Sequence, residues 1–312
     1  MIVLGANQYG KAEVRLVWLD SPAAGPHALR DLSVSVALSG ELSATHLTGD
    51  NSAVLTTDAQ KNTVFAFAAE HGVAEIEDFA MLLAEQFVST QAAISVARVR
   101  IEEYTWEPIA GTGHSFARSG REVRTAAVTF DGTRAWVVSG LRDLVVLNSA
   151  GSEFWGFVKD RYTTLPETTD RILATAVDAR WRHSERAEYG QQQWGSSYRT
   201  ASEALLNAFG QTHSYSLQQT LFAMGKRVLE ELPTVAEIRL SLPNKHHFEV
   251  DMSPFGLEDK GGLVNGGALD GKMANGGVLN GRVFHAADRP YGLIEGTVLR
   301  DDAPPAPPDL AW

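Results

Sequence analysis

The feature that most constrains the fold is an order of periodicities that runs twice along the chain. Residues 13–19 and 32–38 are rich in Val and Leu with partial alternation, and a stretch carrying Pro22, Gly25 and Pro26 separates them. This predicts a long antiparallel hairpin. Between 58 and 91 the spacing changes: Phe79, Leu82, Leu83, Gln86 and Phe87 recur three and four apart, so one face of a helix is largely apolar. Alternation returns at 94–104 and 122–130. The second half repeats the order. Strand-like runs at 135–147 and 172–181 precede helical spacing in Ala201, Ala204, Leu205, Ala208 and Phe209. A second helix runs through Leu217, Leu221, Met224, Val228 and Leu232, and strands follow at 235–252 and 293–299. The expectation is an α+β chain of two similar units, 1–134 and 135–300, each packing helices on an antiparallel sheet.

With 312 residues, 44% hydrophobic and 21% charged, the chain has the core-forming capacity of a globular protein. It has no cysteine, which removes disulfides, thiolate metal sites and a cysteine nucleophile from the account. No apolar run approaches the roughly 18 residues that span a bilayer, and residues 1–10 lack the basic and apolar segments of a secretion signal. The expected setting is the cytoplasm, without a membrane. A net charge of −11 argues against nucleic acid as partner, because phosphate binding needs clustered positive charge. An anionic substrate then has to be held by local cations.

Two segments stand apart. Residues 262–281 divide into the pentads GLVNG, GALDG, KMANG and GVLNG, whose Asn-Gly and Asp-Gly ends favour tight turns and a surface insertion. Residues 301–312 hold four prolines and read as an extended arm ordered by a neighbouring subunit. The apparent phosphate loop from Gly266 to Lys272 is followed by Met273, where Ser or Thr is required. Gly111 and Gly113 lack the third glycine of a dinucleotide fingerprint. His246 and His247 are neighbours on a strand and point to opposite faces, so they do not chelate one metal together.

Thr57 or Asp58 reads by composition as the cap of the helix that follows, and Lys11 and Arg171 read singly as surface charge. Their company changes the reading. The chain carries Tyr9-Gly-Lys11; Thr57-Asp58 with Lys61-Asn-Thr63; Phe154-Trp-Gly-Phe157; and Asp160-Arg-Tyr-Thr-Thr-Leu165-Pro-Glu-Thr-Thr-Asp170-Arg171. Ser214-Tyr-Ser216-Leu217-Gln218, Leu242-Pro-Asn244-Lys-His246-His-Phe248 and Asp288-Arg-Pro-Tyr-Gly292 follow. In these motifs and their order the sequence resembles the urate oxidase family along nearly its whole length.

That resemblance implies a tandem T-fold, two antiparallel sheets with helices on one face, assembled as a homotetrameric barrel around a tunnel. It implies urate and dioxygen as substrates, no cofactor and no metal. Sites would be shared between subunits, Lys11, Thr57 and Asp58 coming from one chain and Phe154, Leu165, Arg171, Leu217 and Gln218 from its neighbour. Urate is a flat, polar purine monoanion. Phe154 would stack on it, Arg171 would present its planar fork to one edge, and Gln218 would bond the opposite edge. Backbone at Asp58 and Leu217 would complete the rim. Lys11, acting through Thr57, is the expected base and has to be partly neutral to serve as one. Asn244 and His246, two apart on a strand, share a face; Asn244 would hold dioxygen or water above the ring while His246 relays protons. The products would be 5-hydroxyisourate and hydrogen peroxide.

The pentads exceed the family pattern, and the ending Leu310-Ala311-Trp312 is not a Ser-Lys-Leu type of address. The alternatives are another T-fold purine or pterin enzyme, a non-catalytic purine-binding protein, and a structural oligomer.

Overall fold

The computed structural model describes residues 1–120, 122–184, 193–255, 282–306 and 310. Among them the chain runs β1 (Tyr9–Asp20), β2 (Ala28–Gly40), α1 (Ser43–Leu47), α2 (Thr57–His71), α3 (Ile76–Thr90), β3 (Ile94–Tyr104), β4 (Trp106–Pro108) and β5 (Phe116–Arg118). It continues through β6 (Val123–Phe130), β7 (Ala135–Asn148), β8 (Leu173–His183), α4 (Trp194–Gln211), α5 (Leu217–Glu231), β9 (Val235–Glu249) and β10 (Phe284–Leu299).

One eight-stranded sheet carries the order β1-β2-β3-β6-β7-β8-β9-β10, antiparallel throughout. The two sequence halves meet where β6 pairs β7. Asp131 folds that connection by accepting from the Thr133 and Arg134 amides with one carboxylate oxygen. Alternation sorts the faces. In the first half Val34, Val36, Val99, Ile101 and Val128 join Phe79, Leu83 and Phe87 of α3 in one core cluster. In the second, Val177, Trp181, Leu240 and Leu242 join Leu205, Phe209, Leu221 and Met224. Val137 and Trp194 belong to the first cluster although they lie beyond the β6/β7 turn.

Between the halves lies a buried polar seam. Arg124 reaches Glu75 at 2.8 Å, Glu77 at 2.7 Å and Glu103 at 3.7 Å, and sits over the Tyr198 ring at 5.0 Å. Ser139 donates to Glu77 at 2.7 Å and meets His183 Nε2 at 3.0 Å. His183 packs edge-on against Trp194, whose ring nitrogen donates to Asp78 at 2.7 Å. Burial raises the Glu77 carboxyl, with Arg124 opposing it, and pushes His183 down to about 4.

Residues 94–104 form a strand as expected, and the other long elements extend or trim their expected ranges by a few residues. The short α1 and the β4/β5 hairpin were not foreseen, being too brief to show a period. β10 begins at Phe284 rather than 293 because Arg289, Pro290 and Gly292 interrupt its alternation. The pentads at 262–281 lie outside the described residues. The C-terminal arm contacts its own chain: the Pro304 carbonyl accepts from buried Arg182 at 2.7 Å, and Leu310 packs on Ala127 and Val138.

Candidate active site

Lys11 pairs with Val36 and Val14 with Val34, so two residues of β1, Ala12 and Glu13, stand opposite one of β2, Ser35. Val34 and Val36 both face the core, and directly paired residues share a face. Lys11 therefore points to the helix side with Val14, although a regular strand would turn residues three apart to opposite faces. The bulge re-aims the lysine. It is built on Glu13, whose φ is 55° and whose amide donates to Ser35 Oγ at 3.0 Å. Gly10 allows the close approach of the strands, since a Cβ there would lie 1.8 Å from the Val36 carbonyl oxygen. Tyr9 ties the strand to the segment before α2 by donating to the Leu55 carbonyl at 3.0 Å.

The cap of α2 is Thr56, not Thr57 or Asp58: its hydroxyl accepts from the Ala59 amide at 3.1 Å. With Thr56 as the cap, Thr57 keeps its hydroxyl. Among the described residues neither that hydroxyl nor the Thr57 and Asp58 amides make a hydrogen bond. Lys61, 2.6 Å from Asp58, holds that carboxyl below its usual range, and Lys11 adds a smaller pull in the same direction. Lys11, Thr57 and Asp58 thus gather at one site.

The second group forms around the loop before β8. Phe154 is fixed by a pair of backbone bonds with Thr168, at 2.8 and 3.0 Å, and its ring stacks on Phe157 at 4.9 Å. Arg171 lies 5.0 Å from the Phe154 ring, and its Nε donates to Ser152 Oγ at 3.0 Å. Burial lowers the pKa of Arg171, yet an arginine remains charged at any working pH. Leu165 sits half exposed on the same loop.

The cap of α5 is Ser216, which accepts from the Gln219 amide at 3.2 Å, while the Gln219 side chain accepts from the Tyr215 amide at 2.8 Å. Leu217 and Gln218 follow the cap as Thr57 and Asp58 do in α2. The Leu217 side chain is buried in the core, so its backbone alone is available. The Gln218 side chain is exposed and makes no hydrogen bond among the described residues.

On β9, Asn244 and His246 continue the helix-side row of Ile238, Leu240 and Leu242, which places them beyond the core on the side of α5. Burial first, then Arg171 and His247, lowers the pKa of His246. The imidazole is therefore neutral at neutral pH and able to accept a proton. The structure brings Phe154, Arg171, Leu217, Gln218, Asn244 and His246 to one end of the second half.

It does not bring them to Lys11. β1 is one edge of the sheet and β9 is next to the other, six strand steps away, which is about 29 Å at the usual spacing of ~4.8 Å. Sequence reasoning missed Thr56, Ser152, Ser214 and Thr220, which arrange the site without entering it. The Ser216-Leu-Gln-Gln219 spacing, that of a capping box, could have marked Ser216 as the cap of α5; the other supports have no such local signal.

The model of the uricase family matches residues 7–129 and 137–295. The uricase of Arthrobacter globiformis is 44% identical over 300 residues, covering 96% of this chain and 91% of that protein. The uricase of Dictyostelium discoideum is 34% identical, covering 96% and 98%. The crystal structure of the Arthrobacter globiformis uricase superposes with a TM-score of 0.87 at 43% identity, covering 99% of this chain and 98% of that one. The uricase of Bacillus fastidious, at 23% identity and a TM-score of 0.74, shares the fold. Family match, relatives and superposition agree over both halves, and the chain belongs to the uricase family.

Proposed function

We propose that this protein oxidises urate with dioxygen and water to 5-hydroxyisourate and hydrogen peroxide, without a cofactor, at sites shared between subunits. The observation that carries this reading is the Arg171 fork, held at its Nε by Ser152 and lying beside the Phe154 ring, with Gln218, unpaired among the described residues, at a helix start nearby. A cation, an aromatic face and an in-plane amide suit a flat purine anion. The free first-turn amides of α2 and α5 add positive potential to both halves of the site.

Two electrons pass from urate to dioxygen, which leaves as peroxide, and water adds to the oxidised ring. Lys11 and Thr57 remove the proton that makes the ring electron-rich. Asn244 holds dioxygen and then water above the ring, and neutral His246 accepts and returns protons. Leu165 covers an edge, while the Asp58 and Leu217 backbones form the rim.

The separation of Lys11 from Arg171 across the sheet supports a site completed by a neighbouring copy. So do β1 and β10, which among the described residues are the edges of the sheet, with exposed Val17, Leu19, Leu293 and Leu299. Long apolar edges require cover. The reading includes a homotetrameric barrel, units at 1–134 and 135–300, and a cytoplasmic setting. No helix among the described residues is long and apolar enough to cross a membrane.

The test follows the loss of urate absorbance in air, with peroxide measured in parallel and an oxygen-free control. Oxygen-dependent loss with equimolar peroxide is expected. Persistence of urate with binding intact would overturn the oxidase in favour of a binding protein. Dilution below the assembly threshold should abolish turnover per chain; constant turnover by monomers would remove the shared site.

A further inference from the structure

We infer that Ser152 is a positioning residue that decides which edge of the Arg171 guanidinium meets the substrate, and that buried Ser214 and Thr220 set the separation of that edge from Gln218. The inference rests on the urate reading and specifies how its binding site is held to size.

A guanidinium offers two forks, one from its two terminal nitrogens and one from Nε with a terminal nitrogen. In this chain Ser152 Oγ takes the Nε hydrogen at 3.0 Å, and the Ser152 carbonyl takes the Arg171 amide at 3.0 Å. Ser152 is fully buried, so water does not compete for these bonds. The Nε edge is spent, and the terminal fork remains beside the Phe154 ring.

The same serine lies on a backbone bridge to Ser214. The Ser214 amide donates to the Gly151 carbonyl at 2.9 Å, and the Glu153 amide donates to the Ser214 carbonyl at 2.8 Å. Thr220, inside the first turns of α5, donates to Ser214 Oγ at 2.8 Å, and Ser214 Oγ donates to the Ser216 carbonyl at 3.1 Å. Ser214 and Thr220 are also fully buried. A bonded path thus runs from the guanidinium to the cap of the helix that carries Gln218. A rigid heterocycle bonded at both edges demands a fixed spacing between its two partners, and this path supplies it.

If these hydroxyls only satisfied one another inside a loop, their removal would lower stability and leave affinity alone. As positioning groups they act on a contact made in ground and transition state alike, so KM rises while kcat holds. The experiment uses the full-length protein, with oxygen-free urate titration for Kd and steady-state turnover for KM and kcat. Ser152→Ala should raise Kd and KM about tenfold, the scale of one hydrogen bond to a charged group, with kcat nearly unchanged. Ser152→Thr, which keeps the hydroxyl, should restore both. Thr220→Val should give a smaller rise in the same direction. Ser152→Cys fills the buried space with a poor acceptor and gives the same readout if the alanine variant fails to fold. Parental Kd and KM in the folded alanine or cysteine variant, or a fall in kcat alone, would overturn the inference. Failure of the unaltered protein to bind urate would instead strike the functional reading itself.

Discussion

At the β6/β7 seam, Arg124, Glu77, Ser139 and His183 bond one another away from water, whereas the Thr57 hydroxyl, the Gln218 side chain and the first two amides after the caps of α2 and α5 make no hydrogen bond among the described residues. Both clusters are polar and both sit where elements meet. At the seam the bonding capacity is largely consumed inside the chain, and what remains is rigidity. At the helix starts Thr56 and Ser216 take the third amide, leaving the two amides before it, the Thr57 hydroxyl and the Gln218 amide unspent. A donor kept unpaired beside a well-made cap is available to a ligand. Pairing, and not polarity, separates the supporting cluster from the candidate site.

The largest effect expected of that difference is at Lys11. Lys11→Met should lower kcat by about 10²–10⁴, the usual worth of a positioned acid or base, while leaving the melting temperature near the parental value. A large drop in melting temperature with kcat kept would erase the distinction, because Lys11 would then behave as a seam residue. The reverse pattern is expected of Arg124. Arg124→Met leaves Glu77 buried without its cation and should cost about 3–5 kcal/mol of stability, with turnover per folded molecule preserved. Chemical denaturation and active-site titration read the two quantities separately, and loss of turnover in fully folded protein would show that the seam reaches the chemistry.

The sequence made the sheet-and-helix order legible because long strands and helices repeat their period several times. Residues 94–104 show this, as do the five apolar or near-apolar positions of α3. What escaped depended on single residues. The bulge at Glu13 breaks alternation at one point only, so the side of the sheet on which Lys11 lies followed from the register and not from the pattern. Thr56, Thr57 and Asp58 are all competent caps, and only the backbone shows which one serves. Phe154, Arg171 and Gln218 were named from a resemblance; their mutual arrangement depends on Ser152, Ser214 and Thr220, small residues with no pattern of their own. The seam was invisible for a related reason. Glu77 and His183 are 106 positions apart, and no local rule couples them.

The smallest expected effect concerns that same pair and is read by pH. Ser139 donates to Glu77, so its oxygen is left to accept from His183 Nε2. The neutral imidazole then carries its proton on Nε2, and Nδ1, which is buried without a partner, would gain an unsatisfied hydrogen on charging. Burial, which disfavours the charged imidazole, pushes His183 down to about 4 from 6.5. Between those values the unfolded chain binds the proton and the folded one does not. The His183 contribution is therefore complete above about pH 6.5 and is lost as pH falls towards 4, by up to roughly 3 kcal/mol. Glu77 has the opposite sign: its raised carboxyl favours the folded state at low pH and withdraws that support as pH rises. The net curve of the parent is consequently shallower than the histidine alone would give. His183→Gln keeps an amide donor for Ser139 but does not titrate, so the difference between the two stability curves isolates the histidine. It should open steadily from pH 6.5 to 4 in denaturation midpoints. Parallel curves would mean that His183 charges freely in the fold, and the seam would lose its standing as the place where polar groups are sealed from water.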